Sequence, residues 1–106
     1  MRAGGLPHLL QLQARANART ATGGFVPTWS TLTTVWGSVE PLTGRELFEQ
    51  QKAHGELTHK VRIRFCAQAS AEKRFLHNGR ALEIVAVLNA KERNIELECL
   101  CKERAA

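Results

Sequence analysis

From Lys60 to Phe65 the chain alternates without a break, with Lys60, Arg62 and Arg64 on one parity and Val61, Ile63 and Phe65 on the other. A period of two over six residues predicts a strand with one face buried and one in water. A second alternation precedes it: Val35, Gly37 and Val39 share one parity, while Thr34, Trp36, Ser38 and Glu40 take the other. Pro41 lacks an N–H and ends the ladder there. Trp36 falls on the face opposite Val35 and Val39. Both faces of that strand are therefore expected to be covered, one by the core and the other by a helix or a neighbouring subunit. Between the two strands, Thr43-Gly44-Arg45-Glu46 has the spacing of a capping box, in which the Thr43 hydroxyl and the Glu46 carboxylate each bond the other's backbone N–H. Leu42 and Leu47 sit where a hydrophobic staple would place them, and Gly55 suits a left-handed helix end. The segment reads as strand, turn, helix, strand.

The flanks are less regular. In residues 6–18, Leu6, Leu9, Leu10 and Gln13 have helical spacing, whereas Leu6, His8, Leu10 and Leu12 alternate and Pro7 suits an edge strand. The residues leave helix and strand both open. Residues 17–30 contain Gly23-Gly24 and Pro27 and read as a loop or the bend of a long hairpin. Trp29, just inside that stretch, is expected to be a satellite core residue rather than an interface anchor. Residues 67–74 form a polar connection. Asn78-Gly79, between Phe75 and Leu82, is the strongest hairpin signal, because a type I′ turn needs positive φ at both positions. Leu82, Ile84, Val85, Val87 and Leu88 are apolar on both parities, as in a central or bulged strand. After a turn over residues 89–94, Ile95, Leu97, Cys99 and Cys101 point one way and Glu96, Glu98 and Lys102 the other, with Leu100 as the exception. The expected fold is mainly β: a small antiparallel barrel or sandwich of five or six strands with one short α-helix. It forms a single domain over residues 1–106, with a mobile arm at residues 1–5.

Composition agrees with this picture. A hydrophobic share of 43% in 106 residues with no long polar tract belongs to a globular chain. No run approaches the ~18 apolar residues of a membrane span, and residues 6–12 are too short and too polar for a signal peptide. No membrane partner is expected, and the chain is expected to be made and kept in cytosol. Fifteen Lys and Arg against ten Asp and Glu leave +5 and an isoelectric point near 9.6, a mild bias toward phosphates or acidic surfaces.

Candidate chemistry is sparse. Cys99 and Cys101 continue the apolar stripe of a strand, and no Cys-x-x-Cys or His-x-x-x-His pair joins them or Cys66, so we expect buried thiols and neither metal nor disulfide. The histidines (His8, His54, His59, His77) are scattered and stand in no nucleophile motif, so neither catalysis nor a cofactor is expected. Lys60, Arg62 and Arg64 form a basic stripe with about 7 Å per step. It either contacts phosphates or an acidic neighbour, or is a solvated face balanced across the sheet by Glu96 and Glu98.

The pieces resemble, in order and spacing, the phage head–tail joining family, the small head-closure or stopper proteins of long-tailed phages. The resemblance runs through Thr34-Val35-Trp36, then Val39-Glu40-Pro41-Leu42-Thr43-Gly44-Arg45-Glu46, then Thr58-His59-Lys60-Val61-Arg62-Ile63-Arg64-Phe65. Gly5-Leu6 to Leu12-Gln13 is similar to the family's opening strand, which implies a strand over residues 8–14. Asn78-Gly79-Arg80 to Glu83-Ile84, Glu92-Arg93-Asn94 and Leu97-Glu98-Cys99-Leu100-Cys101 are similar to its closing hairpins. What the resemblance implies is a structural virion protein, not an enzyme. It would form a ring with itself, six-fold in preference to twelve-fold, between a portal or adaptor ring above and a tail terminator or tail tube below. Packaged double-stranded DNA would fill the channel. Thr43, Arg45, Glu46, Glu49 and Lys52 then become interface or channel residues, and Lys60, Arg62 and Arg64 a basic contact face. Residues 41–57 would be the channel-proximal or partner-docking element, and residues 17–30 would meet the neighbouring ring.

The alternative is a small nucleic-acid-binding barrel of the OB type, which the basic stripe favours. Four Phe, two Trp and no Tyr leave few stacking platforms, of which only Phe25, Trp29 and Phe75 stand near loops or strand ends.

Overall fold

The computed structural model describes residues 7–19, 23–89, 92 and 95–105. The expected arm at residues 1–5 lies outside them. Six strands and one helix follow one another: β1 (His8–Arg19), β2 (Phe25–Pro41), α1 (Gly44–His54), β3 (His59–Arg64), β4 (Arg74–His77), β5 (Arg80–Asn89) and β6 (Glu96–Ala105). The strands close into a barrel in the order β1-β2-β3-β6-β5-β4, and every pairing is antiparallel. The closing seam is short, since β1 meets β4 only through Gln11–Leu76, Leu12–Phe75 and Gln13–Arg74. The Asn78-Gly79 turn between β4 and β5 has φ of 51° and 77°, as a type I′ hairpin requires.

Alternation fills the interior. Leu10 and Leu12 from β1, Val61 and Ile63 from β3, Phe75 from β4, Leu82 and Ile84 from β5, and Leu97, Cys99 and Cys101 from β6 form one buried cluster, with Val35 and Val39 packed against it. Gly37 stands where nothing larger fits: a Cβ there would lie 2.7 Å from Leu10 Cδ1, 2.9 Å from Ile63 Cγ2 and 3.1 Å from the Arg62 carbonyl oxygen. The two-parity apolar run of β5 is explained by a register shift between Ile84 and Ala86 and by a second cluster outside the barrel. There Leu42, Leu57 and Leu100 are buried together, with Leu47, Val85 and Ala86 against them. Leu100, the exception in the β6 pattern, points outward because α1 and its return cover that face.

Two expectations change at strand ends. Phe65 and Ile95 do not continue their stripes inward. Each lies one residue outside its strand and is exposed, held by the bond from Phe65 N–H to the Ile95 carbonyl (2.9 Å). Periodicity cannot show that the barrel has already ended.

Within residues 17–30, residues 17–19 and 25–30 are strand. β1 continues to Arg19 and β2 begins at Phe25, so the two strands leave the barrel as a two-stranded ribbon. A bulge at its root opposes Leu12 and Gln13 to Thr33 and Thr31 and leaves Leu32 as the extra residue. Arg74 clamps that root. Its Nε donates to Gln13 Oε1 (2.8 Å), its guanidinium lies 4.3 Å from the centre of the Trp29 ring, and Gln13 Nε2 donates to Thr31 Oγ1 (3.3 Å). Of the two readings of this stretch the long hairpin is the one found, and β1 runs five residues past the expected end at Ala14, held there by cross-strand pairing to β2.

Candidate assembly interface

α1 is joined to the barrel by few contacts. Its side chains reach no fully buried position, and Leu47 alone packs into the outer cluster beside Leu42, as the staple pairing anticipates. Gln51 Nε2 donates to the Leu57 carbonyl (3.3 Å), and the Leu42 N–H donates to the Thr58 carbonyl (3.0 Å). Thr43 is the N-cap by backbone geometry, but its hydroxyl makes no capping bond. Gly44, the first helical residue, has φ +59°. A capping box needs right-handed geometry there, so the turn carries the Thr43 side chain away from the Glu46 N–H. Glu46 goes elsewhere: its carboxylate accepts from Lys60 Nζ at 2.8 Å, and that bond raises the Lys60 pKa. At the other end Gly55 closes the helix at φ +83° with its N–H bonded to the Gln51 carbonyl.

The outward side of α1 carries Arg45 and Glu49, 3.8 Å apart and largely in water, and Lys52, whose ammonium sits 4.5 Å from the centre of the Phe48 ring. Phe48 is 61% exposed, and no sequence signal marked it as a surface residue. Its place four residues before Lys52 was the available clue, since positions four apart meet on a helix face.

Lys60 joins the helix to the basic stripe, so the two candidate groups form one surface. Arg62 reaches Glu40 (3.1 Å) and Glu96 (3.4 Å), and the β3–β6 register sets Arg62 opposite Glu98 and Arg64 opposite Glu96. Lys60 and Arg62 are thus already paired with carboxylates. The face is a lattice of alternating charge rather than a phosphate cradle.

Elsewhere the structure gathers groups that the sequence kept apart. The Glu103 carboxylate accepts two bonds from Arg80 (3.0 and 2.9 Å), which hold its pKa down. Arg80 also approaches His59 Nε2 (3.2 Å), while His59 Nδ1 lies 2.9 Å from Thr58 Oγ1. Burial lowers the His59 pKa, Glu103 partly opposes this, and Arg80 adds to it. His77 is lowered by burial, then by His8, whose ring centroid is 4.7 Å away, and by Arg80. The Cys99 thiol is pushed up to about 12 by burial and Cys101 well above its ordinary value, as core thiols. Among the described residues, no group of three or more His, Cys, Asp and Glu stands where it could share a metal ion. Trp36 is 51% exposed, paired across the strands with the equally exposed Leu9, and α1 does not cover it. Of the candidate stacking residues, Phe75 is sealed in the core and Trp29 is occupied by Arg74, while the Phe25 side chain lies outside what the structure describes.

Comparison with known proteins agrees with the fold. Protein SF1141 from Shigella flexneri 2a, solved in solution, is 28% identical, with 97% of this chain and 96% of that chain covered at a TM-score of 0.75. A chain from the virion of a native gene transfer agent particle is 20% identical over 92% of this chain and 94% of its own, at a TM-score of 0.60, and shares the fold. No curated protein matches. The sequence model of the phage head completion proteins matches residues 1–104, and the chain therefore belongs to that family, as a structural component of the virion head.

Proposed function

We propose that this chain acts as one domain that forms a ring at the head–tail junction, closing the DNA-filled capsid and offering a platform to the tail. The ring consists of copies of this chain, six in preference to twelve. A portal or adaptor ring lies above it, a tail terminator or tail tube below, and packaged double-stranded DNA in the channel. The observation that carries the reading is the match to head completion proteins over residues 1–104. The occurrence of the same barrel in a gene transfer agent virion supports it. No reaction is assigned to the chain.

Within the ring, residues 41–57 are the channel-proximal or partner-docking element. α1 has the properties such an element needs: it is tethered by Leu47 and by the Glu46–Lys60 pair, and it holds Arg45, Phe48, Glu49 and Lys52 out to solvent. Thr43 marks its hinge-side start. Lys60, Arg62 and Arg64 flank it, and a polar lattice of this kind suits a contact that must form and register without aggregating beforehand.

Electron microscopy of assembled particles tests the reading through a ring of density at the junction that is lost when the chain is deleted. Substituting Arg45→Glu with Lys52→Glu is expected to impair assembly or DNA retention while the isolated chain stays folded. Normal particle yield with full DNA retention would remove α1 from the mechanism.

A further inference from the structure

The ribbon leaves the barrel with two open margins. β1 pairs with β4 only from Gln11 to Gln13, so among the described residues 14–19 have β2 on one side and no strand on the other. β2 pairs with β3 only from Gly37 to Pro41, so residues 25–36 likewise have β1 alone. Each margin presents main-chain N–H and C=O groups from every second residue, and two strands alone are marginally stable in water.

Sheets usually guard such margins with charges. Here residues 28–37 read Thr-Trp-Ser-Thr-Leu-Thr-Thr-Val-Trp-Gly, with no charged side chain and with β-branched residues at Thr28, Thr31, Thr33, Thr34 and Val35. This margin's guards are Pro27, which withholds one N–H, and the bulge at Leu32, which bends the ribbon but leaves the stretches on either side of it paired to β1. On the β1 margin, a cavity of about 910 Å³ separates Ala14 and Ala16 from Ile84 and Val85, with Ser70 and Ala71 also on its wall. It opens because β4 is only four residues long while β1 and β5 both run past it. Ala14, Ala16, Ser70 and Ala71 leave room for another main chain beside β1, between the longer Arg15, Trp29, Glu72, Lys73 and Glu83 of the same wall.

We infer that the β1 margin of one copy pairs, antiparallel, with the β2 margin of the next. This rests on the ring reading and names the contact that builds the ring. Three features select a second copy in this arrangement. The two margins lie on opposite sides of one ribbon, so copies related by rotation join them head to tail, and the closed ring leaves neither margin open. Rotation keeps every ribbon pointing the same way along the axis, which sets β1 antiparallel to the neighbour's β2, as within the chain. Exposed Arg15 would face its own like charge if β1 met β1, whereas the β2 margin is neutral. The ribbon thus serves contact between copies, rather than the contact with a neighbouring ring that residues 17–30 first suggested.

Amide hydrogen exchange read by mass spectrometry, on the free chain and on assembled heads, tests it. Residues 14–19 and 28–36 are expected to exchange rapidly in the free chain and to slow together by roughly tenfold or more in heads, as buried sheet amides do. Protection of one margin without the other means a foreign strand or a symmetric pair and overturns the inference. So does protection confined to residues 44–54 or 59–64. If the chain is present in heads but both margins exchange as in the free chain, this inference fails while the ring reading stands. If heads lack the chain altogether, the functional reading fails and takes the inference with it.

Discussion

The barrel interior and the elements appended to it dispose of apolar residues in opposite ways. Inside, Leu10, Leu12, Val61, Ile63, Phe75, Leu82, Cys99 and Cys101 have no accessible surface, and a single Cβ added at Gly37 would collide with two of them. Outside, α1 holds Phe48 in water, and the root of the ribbon exposes Leu32 and Trp36. The interior closes on itself; the appended elements leave large apolar side chains in water. Burial fixes the barrel, and the barrel displays a helix and a ribbon whose own stability is modest and whose surfaces remain unused in the isolated chain.

That contrast can be broken first at the core. Phe75→Ala is expected to cost about 3–5 kcal/mol, because a fully buried ring at the short β1–β4 seam leaves a cavity its neighbours fill poorly. Urea denaturation measures this, and a loss below about 1 kcal/mol would mean that the seam repacks. Gly37→Ala is the overpacking counterpart, with an expected loss of about 1–3 kcal/mol as Leu10 and Ile63 shift. An unchanged melting temperature there would show the crossing of β1, β2 and β3 to be looser than its distances.

Acid sharpens the same division, because the lowered histidines sit at the barrel and not on the ribbon or helix. For His59 and His77 the folded pKa lies below the ordinary value of about 6.5, with burial as the leading cause, so the unfolded chain binds more protons as pH falls through that value. Stability is therefore expected to be full above pH ~7 and to decline toward pH ~5, before the lowered Glu103 begins to titrate at still lower pH. Urea midpoints at pH 7.5 and 5.5 give the sign; equal midpoints, or a rise in acid, would contradict it. His59→Gln with His77→Gln should flatten the profile.

The smallest effects belong to α1. Thr43→Ala is expected to change stability by less than about 0.5 kcal/mol, since its hydroxyl caps nothing, and Glu46→Gln by about 0.2–1 kcal/mol through the partly exposed pair with Lys60. A loss near 2 kcal/mol from Thr43→Ala would restore the capping box that Gly44 interrupts. Phe48→Ser should leave the melting temperature within a degree or two while lowering particle yield, which separates display from folding.

Much of the fold was legible in the order of residues. Strict alternation identified β3, Asn78-Gly79 identified the β4–β5 hairpin, and the double-sided run from Leu82 identified a strand covered on both faces, because each of these is a local consequence of backbone geometry. The helix span and its closing Gly55 were legible for the same reason. Tertiary structure alone decided which partners the charges took. Glu46 left the helix start for Lys60, and Arg62 found Glu40 and Glu96, since ion pairs form between whichever side chains the register brings within reach. It also decided where alternation stopped meaning burial: Phe65 and Ile95 obey the period yet lie beyond the barrel's end, and Ala14, Ala16 and Ala18 alternate with Arg15, Asn17 and Arg19 in a ribbon that has left it. The sequence by itself determined most of the strands, the helix and a small antiparallel barrel or sandwich, because these follow from short-range pattern; closure into a barrel was decided by the tertiary pairing. The open margins of the ribbon and the exposed face of α1 emerged only from the closed barrel, because an edge or a surface is defined by what does not pack against it.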